Sequence, residues 1–494
     1  MNEAIKDEFE IRKEKLEKLK KTGIYPYPDK FEKTHTASLA LALKLGTKKI
    51  RIAGRILTKR TMGKITFAHL LDDSGKIQVV FKDDETGESE YKIFNDLIDG
   101  GDFIGVEGEL FATKKGETSI LVRKYTFLGK SLRPLPEKWH GLKDVELRYR
   151  ERYLDLLSNT HIKEVFVFRS NFIRLLREFY WSQGFIELET PILANTASGA
   201  LAKPFTTHHN ALDIDIYLRI SAGELWQKMA IIGGFEKTFE LGKVFRNEGM
   251  DPSHLQEFTM IEHYVAYWNF EDNMKFTEEM FSHLLKKLFG TMKIGIKNRK
   301  GEIAEIDFTP PWPKVTFRDV IKKDCGIDID KFSSHKELCA EIKKKKLYTE
   351  DMAHLGMGNL VDALYKTVSR DKIFKPTFII HHPIDVSPLA RKNDKNPKVV
   401  DRFQLLVNGW EIVNAYSELV DPEDQQERFK QQVDAKSHGD EETHGEDKEF
   451  ITALEHGAPP ISGWGMGIDR IVALLTQQDN LRDVVLFPLL RPEE

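Results

Sequence analysis

The chain has 494 residues, 40% hydrophobic and 31% charged, so it exceeds the size of one hydrophobic core and predicts roughly two or three domains. Its 74 basic and 78 acidic residues give a net charge of −4, which does not exclude a nucleic-acid partner because only a local basic surface is needed. Two isolated cysteines, Cys325 and Cys339, exclude a disulfide scaffold and a multi-cysteine zinc site.

The N-terminal segment predicts an amphipathic helix over residues 1–22, within a helical extension that we assign to residues 1–45. Its basic end, IRKEKLEKLKK, fits either a solvated helical face or an arm that contacts phosphates. The segment lacks the apolar region of a signal peptide, and no run of about 18 apolar residues predicts a membrane span. Together with the isolated thiols, these features predict a cytoplasmic protein.

Residues 46–135 follow a pattern of short alternating strands. Five strands separated by turn sequences such as DDSG and KKGE, with a helical stretch between the third and fourth, predict a Greek-key barrel of the OB type. Such barrels bind single-stranded nucleic acid by stacking bases on aromatic side chains. Phe67 and Gln78 lie on consecutive strands, although core packing is an equally valid interpretation of Phe67. Three basic residues are predicted in the loop beside them: Lys59, Arg60 and Lys64.

The stretch SLRPLPEKWHGLKD, with two prolines, predicts an interdomain linker, which we assign to residues 136–150. Residues 151–494 then form one large domain, in which helices with apolar positions at period 3.6 precede alternating strands and helices. Near its end, KSHGDEETHGEDKE contains His438 and His444. These histidines suggest a metal site, but a solvated loop is the favoured interpretation.

Residues 239–264, FELGKVFRNEGMDPSHLQEFTMIEHY, predict a hairpin whose loop contains Gly, Asp, Pro and Ser. Arg246 ends the first strand. Side chains alternate along a strand, so Phe258, Met260, Glu262 and Tyr264 share one face, with about 13 Å between the first and third of them. An aromatic platform at one end and a carboxylate at the other predict a ligand site with a cationic group at the carboxylate.

Three motifs in this order make the chain resemble the bacterial class II lysyl-tRNA synthetases over nearly its whole length. The first is the long helix with GFIELETPIL, whose Pro191 matches the family's dimer-interface proline. The second is the hairpin, and the third is GWGMGIDRIVALL, residues 463–475, with Arg470 at its strand–helix junction. The resemblance implies an N-terminal OB-fold barrel followed by a class II catalytic domain, an α+β domain with a mostly antiparallel sheet flanked by helices.

The resemblance also implies a homodimeric lysine–tRNA ligase that forms a lysyl-adenylate from ATP and transfers lysine to the 3′ end of tRNA(Lys). Arg246 and Arg470 would be catalytic, because the transition state gathers negative charge. A hairpin salt bridge of Arg246 with Glu240 or Glu248 is the alternative interpretation. The residues implied for ATP binding are Arg246, Glu248, His254, Phe258, Glu411 and Arg470.

A buried lysine ammonium needs carboxylate partners, and the sequence supplies them. The resemblance implies that Glu262 and Glu418 hold the side-chain ammonium, with Tyr264 nearby, while Glu224 and Asn414 receive the α-amino group and Arg246 the carboxylate. It implies Mg²⁺ at Glu411, but Gln404 stands where many relatives carry Glu, so this second ligand is doubtful. Side chains alternate along a regular strand, so Glu411 and Asn414 would point to opposite faces of the sheet unless a bulge lies between them. Ala200 stands where relatives commonly carry a second glycine.

Phe67, Gln78 and Glu117 match the family positions that bind the central anticodon uridine, which favours base stacking for Phe67. Two rival functions remain. One is an enzyme of the same fold with another amino-acid specificity, such as aspartate or asparagine, which would need cations or amides at the pocket floor. The other is an inactive homologue that only binds RNA or a regulatory partner, which would have lost Arg246, Phe258 or Arg470.

Overall fold

The computed structural model describes residues 2–135, 142–196, 202–350, 352, 355–437 and 447–493. Ala200, His438, His444 and the first part of the predicted linker lie outside these residues. The chain forms two compact units: a barrel unit, Met1–Arg148 with Tyr153–Ser158, and a sheet unit, Tyr149–Arg152 with Asn159–Glu494. Within the described ranges, no helix is both long and apolar enough to cross a membrane.

The elements up to residue 158 centre on a closed five-stranded barrel with strand order β1-β2-β3-β5-β4. In chain order they are α1 (Asn2–Lys21), α2 (Ala37–Leu41), β1 (Ile50–Met62), β2 (Ile65–Asp72), β3 (Gly75–Lys82), α3 (Asp83–Thr86), α4 (Glu88–Leu97), β4 (Phe103–Ala112), β5 (Thr118–Gly129), α5 (Val145–Arg150) and α6 (Arg152–Ser158). The predicted OB-type barrel, with a helix between its third and fourth strands, is confirmed.

The N-terminal segment packs onto this barrel. Leu19 of α1, with Ala37 and Ala40 of α2, joins the apolar core formed by the inward-facing residues of the strands. The basic residues of α1 serve this contact: Arg12 donates to the backbone carbonyls of Gly100 and Ser131. Part of the predicted basic arm therefore holds the helix against the barrel.

The prediction that Lys59 and Arg60 belong to a basic loop is wrong, because both lie within β1. Lys59 lies within β1, and its ammonium donates to the carbonyls of Phe94, Asn95 and Ile98 at 2.6–2.8 Å. These groups end α4 and would otherwise lack intrahelical donors, so Lys59 caps the helix. Burial lowers its pKa to about 8.

The sheet unit is built on an eight-stranded sheet, β14-β15-β16-β17-β18-β11-β10-β6, that is antiparallel except at its two outer pairs. Its elements are α7 (Thr160–Ser182), β6 (Ile186–Glu187), β7 (Leu193–Ala194), β8 (Thr206–His209), β9 (Ile214–Leu218), α8 (Glu224–Ile232), β10 (Lys237–Phe245), β11 (Glu257–Ala266), α9 (Phe270–Phe289), β12 (Lys293–Lys297), β13 (Ile303–Asp307), β14 (Lys314–Thr316), α10 (Phe317–Cys325), α11 (His335–Lys344), α12 (Met357–Val368), β15 (Thr377–Ile380), β16 (Arg402–Val407), β17 (Trp410–Ser417), α13 (Pro422–Ser437), α14 (Lys448–Glu455), β18 (Ile461–Gly467) and α15 (Ile468–Leu475).

Helices α7, α9 and α15 cover one face of this sheet and share its main apolar core. Helix α9 begins at a capping box formed by Asn269 and Asp272 and ends at Gly290, whose φ of 71° suits a glycine. The core face also buries His263, which bonds Tyr180 and Asn273 at 2.8 Å each and stacks on Trp464. This packing leaves the opposite face of the central strands open to form a site.

We predict that Gly108→Ala destabilises the barrel by about 1–3 kcal/mol, because a Cβ at this position would overlap the carbonyl oxygen of Leu121, a backbone atom with little freedom to move. The matched control is Gly100→Ala, whose Cβ would meet no atom within 4 Å. Hydrogen exchange of β4 and β5 amides in the full chain measures the effect. Equal protection in the two variants would contradict the prediction.

Candidate active site

The open face of the sheet forms the floor of a cavity of about 400 Å³. Along β11, Phe258, Met260, Glu262 and Tyr264 line the cavity, and the intervening Ile261 belongs to the core behind it. The predicted alternation is therefore present. The cavity brings together the following sequence-predicted residues: Glu224, Arg246, Glu248, His254, Phe258, Glu262, Tyr264, Gln404, Glu411, Asn414 and Arg470.

At the hairpin end of the cavity, Arg246 follows β10 and its guanidinium carbon lies 5.3 Å from the centroid of the Phe258 ring. Its Nε donates to the carbonyl of Ile220 at 3.2 Å. The alternative salt bridge of Arg246 with Glu240 or Glu248 is absent among the described residues. Glu240 is paired instead with the buried Arg219. Arg246 thus retains guanidinium donors for an anionic ligand.

Arg470 lies in the first turn of α15 and reaches toward the hairpin loop. One of its nitrogens donates to the carbonyl of Glu411, and another lies 3.3 Å from Nε2 of His254. The other ring nitrogen of His254 is bonded to Asp251 at 2.8 Å. Although burial acts in the opposite direction, hydrogen bonds from Ser253 and His254 lower the pKa of Asp251 to about 2. The ionised Asp251 thereby holds the His254 ring beside Arg470.

An ion pair ties these groups to the scaffold. Asp469 accepts a hydrogen bond from Arg169 of α7 and another from the backbone amide of Thr259, both at 2.6 Å. Arg169 also donates to the hydroxyl of Thr259 at 3.0 Å. The Asp469 carboxylate thus links α7, β11 and the start of α15.

A bulge in β17 resolves the parity conflict between Glu411 and Asn414. Leu405 pairs with Val413, but the next residue, Leu406, pairs with Glu411, so Ile412 is the additional residue. Glu411 and Asn414 consequently both face the cavity. Gln404 lies opposite Asn414 on the neighbouring strand.

The surroundings of Glu411 are cationic. Burial alone would raise the pKa of this carboxyl, but Arg470, Arg370, Arg402 and Lys366 outweigh it and hold the pKa below its ordinary value. Glu411 and the amide oxygen of Gln404 are hard donors that suit Mg²⁺. Within the described residues, no cluster of three or more His, Cys, Asp and Glu side chains could hold a metal alone. Glu411 and Gln404 therefore fit a magnesium ion whose remaining oxygen ligands would come from a bound phosphate group.

The opposite end of the cavity gathers buried carboxylates. Glu262 accepts from the amide of Ala222 at 2.9 Å and from the hydroxyl of Tyr264 at 3.1 Å. Burial, with the nearby charge of Glu224, raises the pKa of Glu262. Glu418 lies behind Gly463, at which a Cβ would overlap its carboxylate oxygen. Glycine is required there because the carboxylate packs against the backbone.

Sequence reasoning missed three polar residues at this end. Lys228 is buried and pairs with both Glu224 and Glu418. Tyr416 donates to Glu224 at 2.6 Å, and Arg402 donates to the side-chain oxygen of Asn414 at 2.9 Å, which leaves that oxygen a second lone pair. The spacing of Glu224 and Lys228, four residues apart on a helix, is the signal that identifies such a pair in the sequence.

The barrel unit places its predicted residues together on the outer side of β2 and β3. Gln78 donates to Glu117 at 2.8 Å, and His69, which sequence reasoning missed, lies 3.1 Å from the other Glu117 oxygen. Residues on either side of Phe67 point inward, whereas Phe67 is half-buried and lies outside the apolar core. The core-packing interpretation of Phe67 is therefore not supported.

Pro191 lies on the surface of the sheet unit, away from the cavity-lining residues. Its neighbours in sequence are also exposed and apolar: Ile186 is 49% exposed, Ile192 46% and Leu193 50%. Exposed apolar side chains in one short segment are typical of a protein interface.

Comparison with known proteins gives matches over nearly the whole chain. The family model "tRNA synthetases class II (D, K and N)" matches residues 144–491, and the model "OB-fold nucleic acid binding domain" matches residues 50–128. A lysine–tRNA ligase of Carboxydothermus hydrogenoformans is 46% identical, with 100% of this chain and 99% of that protein aligned. Lysine–tRNA ligases of Syntrophomonas wolfei and Aquifex aeolicus are each 47% identical, covering 98% and 90% of this chain and 96% and 73% of their own lengths.

We predict that Glu262→Gln becomes relatively more stable as pH rises. The pKa of Glu262 is higher in the folded state than in the unfolded state, so the stability that its protonated form contributes at low pH is lost as pH rises through the folded-state pKa. A glutamine does not titrate and does not lose this stability. The melting temperatures of variant and wild type, compared at about pH 5 and about pH 8, measure it. Glu302→Gln, at an exposed carboxyl, is the control. A difference that favours wild type more strongly at the higher pH would contradict the prediction.

Proposed function

The chain belongs to the class II tRNA synthetases, and we propose that it acts as a lysine–tRNA ligase. It activates L-lysine with ATP and then esterifies the 3′-terminal ribose of tRNA(Lys). In the first step a lysine carboxylate oxygen attacks the α-phosphorus and displaces pyrophosphate. In the second, a ribose hydroxyl attacks the adenylate carbonyl and releases AMP.

The observation that carries the choice of lysine is the group of buried glutamates opposite the hairpin end. Glu224 and Glu262 line the pocket, and Glu418 is buried behind Gly463, which also lines it. A substrate with two ammonium groups offsets their desolvation, whereas an aspartate or asparagine side chain supplies no cation. This feature, with the names of the relatives, supports lysine over the other two amino acids of the family.

The remaining cavity residues fit the activation step. Phe258 supplies an aromatic face for adenine, and Arg470 a guanidinium for its other face. Arg246 reaches the lysine carboxylate and the α-phosphate, where its rigid fork stabilises the charge that accumulates as pyrophosphate leaves. Glu248 and His254 complete the ATP contacts from the loop. The retention of Arg246, Phe258 and Arg470 opposes the inactive-homologue alternative.

Mg²⁺ would be held by Glu411, with Gln404 as a weaker neutral ligand, and when bound it would neutralise phosphate charge. A single protein carboxylate indicates that ATP supplies most of the oxygen ligands. Gln404→Glu adds a second carboxylate, so the Mg²⁺ concentration that supports half-maximal exchange should fall if this assignment holds.

The barrel unit is proposed to bind the anticodon, with Phe67 stacking on a base and Gln78 and Glu117 forming polar contacts. The exposed segment around Pro191 supports a homodimer, whose mass analytical ultracentrifugation would measure. A role in translation supports a cytoplasmic location.

We predict that the chain catalyses lysine-dependent exchange between pyrophosphate and ATP, and that Arg246→Ala lowers this exchange at least about 100-fold because it removes charge stabilisation in the transition state. tRNA binding should be retained, since the barrel supplies its anticodon contacts. Lys243→Ala, on the same strand but paired with Glu257 near the surface, is the control. Exchange with aspartate or asparagine alone would contradict the proposed specificity.

We predict that Phe67→Ala weakens binding of tRNA(Lys) by about 1–3 kcal/mol, because one stacked base loses its aromatic partner. Lysine activation in the absence of tRNA should be unchanged. Phe103→Ala, at another exposed aromatic residue of the barrel, is the matched control. Equal losses in tRNA affinity for both variants would remove Phe67 from the proposed interface.

A further inference from the structure

Lys228 occupies a built ammonium site behind the candidate amino-acid pocket, where it contacts the lining residue Glu224. It lies one helical turn after Glu224 on α8, and its Nζ is 2.9 Å from a Glu224 oxygen and 2.5 Å from a Glu418 oxygen. Three aromatic rings surround the same nitrogen, with the centroids of Tyr264, Tyr416 and Phe450 at 5.6–5.8 Å. The side chain is only 2% exposed.

The charges of this pocket can be added from the described residues. Glu224, Glu262 and Glu418 contribute three negative charges when ionised, and Lys228 contributes one positive charge. The remaining two negative charges equal the two ammonium groups of a lysine substrate, while Arg246 is available for its carboxylate. Without Lys228, three buried carboxylates would repel one another, and buried groups in this situation take up protons.

We propose that Lys228 is a positioning residue that orients Glu224 and Glu418 and favours the ionised form of Glu418, so that the empty pocket is arranged to receive lysine. The inference deepens the proposed function and rests on it. Lys228 makes no contact with the reacting atoms; it acts through the two carboxylates. In its absence a proton replaces the missing cation and must leave each time lysine binds.

The charged and titratable groups nearest to Lys228 lie on α8, β11 and β17 and directly after β17. They are Glu224 on α8, Glu262 and Tyr264 on β11, Tyr416 on β17 and Glu418 directly after it, with Arg246 and Arg402 at the edge of the group. Helix α14 contributes the uncharged ring of Phe450. Burial and the neighbouring carboxylates raise the pKa of Glu418 even though the charge of Lys228 acts to lower it, so removal of Lys228 should raise this pKa further.

Calorimetry of lysine binding to the full chain, in buffers of different ionisation enthalpy at about pH 7, tests the proposal by counting released protons. Lys228→Met should release about one more proton per bound lysine than wild type. It should also bind lysine at least about tenfold more weakly, and both differences should shrink as pH rises. Lys228→Arg keeps the charge and should keep the wild-type proton count.

Lys59→Met is the matched control, because it removes a half-buried lysine whose partners are backbone carbonyls in the other unit. It should leave both quantities unchanged. A folded Lys228→Met variant with the wild-type proton count would overturn the proposal. If that variant does not fold, Lys228→Arg decides, since an increased proton count there would equally overturn it. Failure of wild type to bind lysine would overturn the proposed function instead.

Discussion

The buried carboxylate of Asp469 is the contact on which the geometry of the cavity depends. It joins Arg169 of α7 to the backbone of β11 at Thr259 and stands at the start of α15. Phe258 precedes Thr259 and Arg470 follows Asp469, so this one contact sets the distance between the two groups that we propose to enclose adenine. A carboxylate this deep is stable only when paired, which couples the long helix of the first motif to the second and third motifs.

The two faces of strand β11 have different roles, one in the core and one in the cavity. His263 faces the core, where Tyr180 and Asn273 occupy both ring nitrogens and burial lowers its pKa to about 3, so it stays neutral. Its neighbour Glu262 faces the cavity, where burial and the nearby charge of Glu224 raise the pKa of its carboxyl. These two adjacent residues are both buried, but only Glu262 lies on the face that is suited to bind a ligand.

Local patterns predicted the barrel, the hairpin and the shared face of Phe258 and Glu262, because alternation and turn residues depend on near neighbours in sequence. Contacts between distant segments were not accessible in this way. The role of Lys59 as a helix cap depends on residues about 35 positions away. The enclosure of Lys228 likewise depends on Glu418 and three rings from separate elements. The bulge at Ile412 has no local sequence signature, and strand period alone predicts the wrong face for Glu411.

The bulge at Ile412 also separates the part of β17 that carries Glu411 from the part that carries Asn414 and Tyr416. Because the additional residue absorbs the change in register, Glu411 lies on one side of the bulge, whereas Asn414, which pairs with Gln404, and Tyr416 keep their alignment with β18 on the other side. One unpaired residue, Ile412, therefore separates the backbone at Glu411 from the segment of β17 that carries Asn414 and Tyr416.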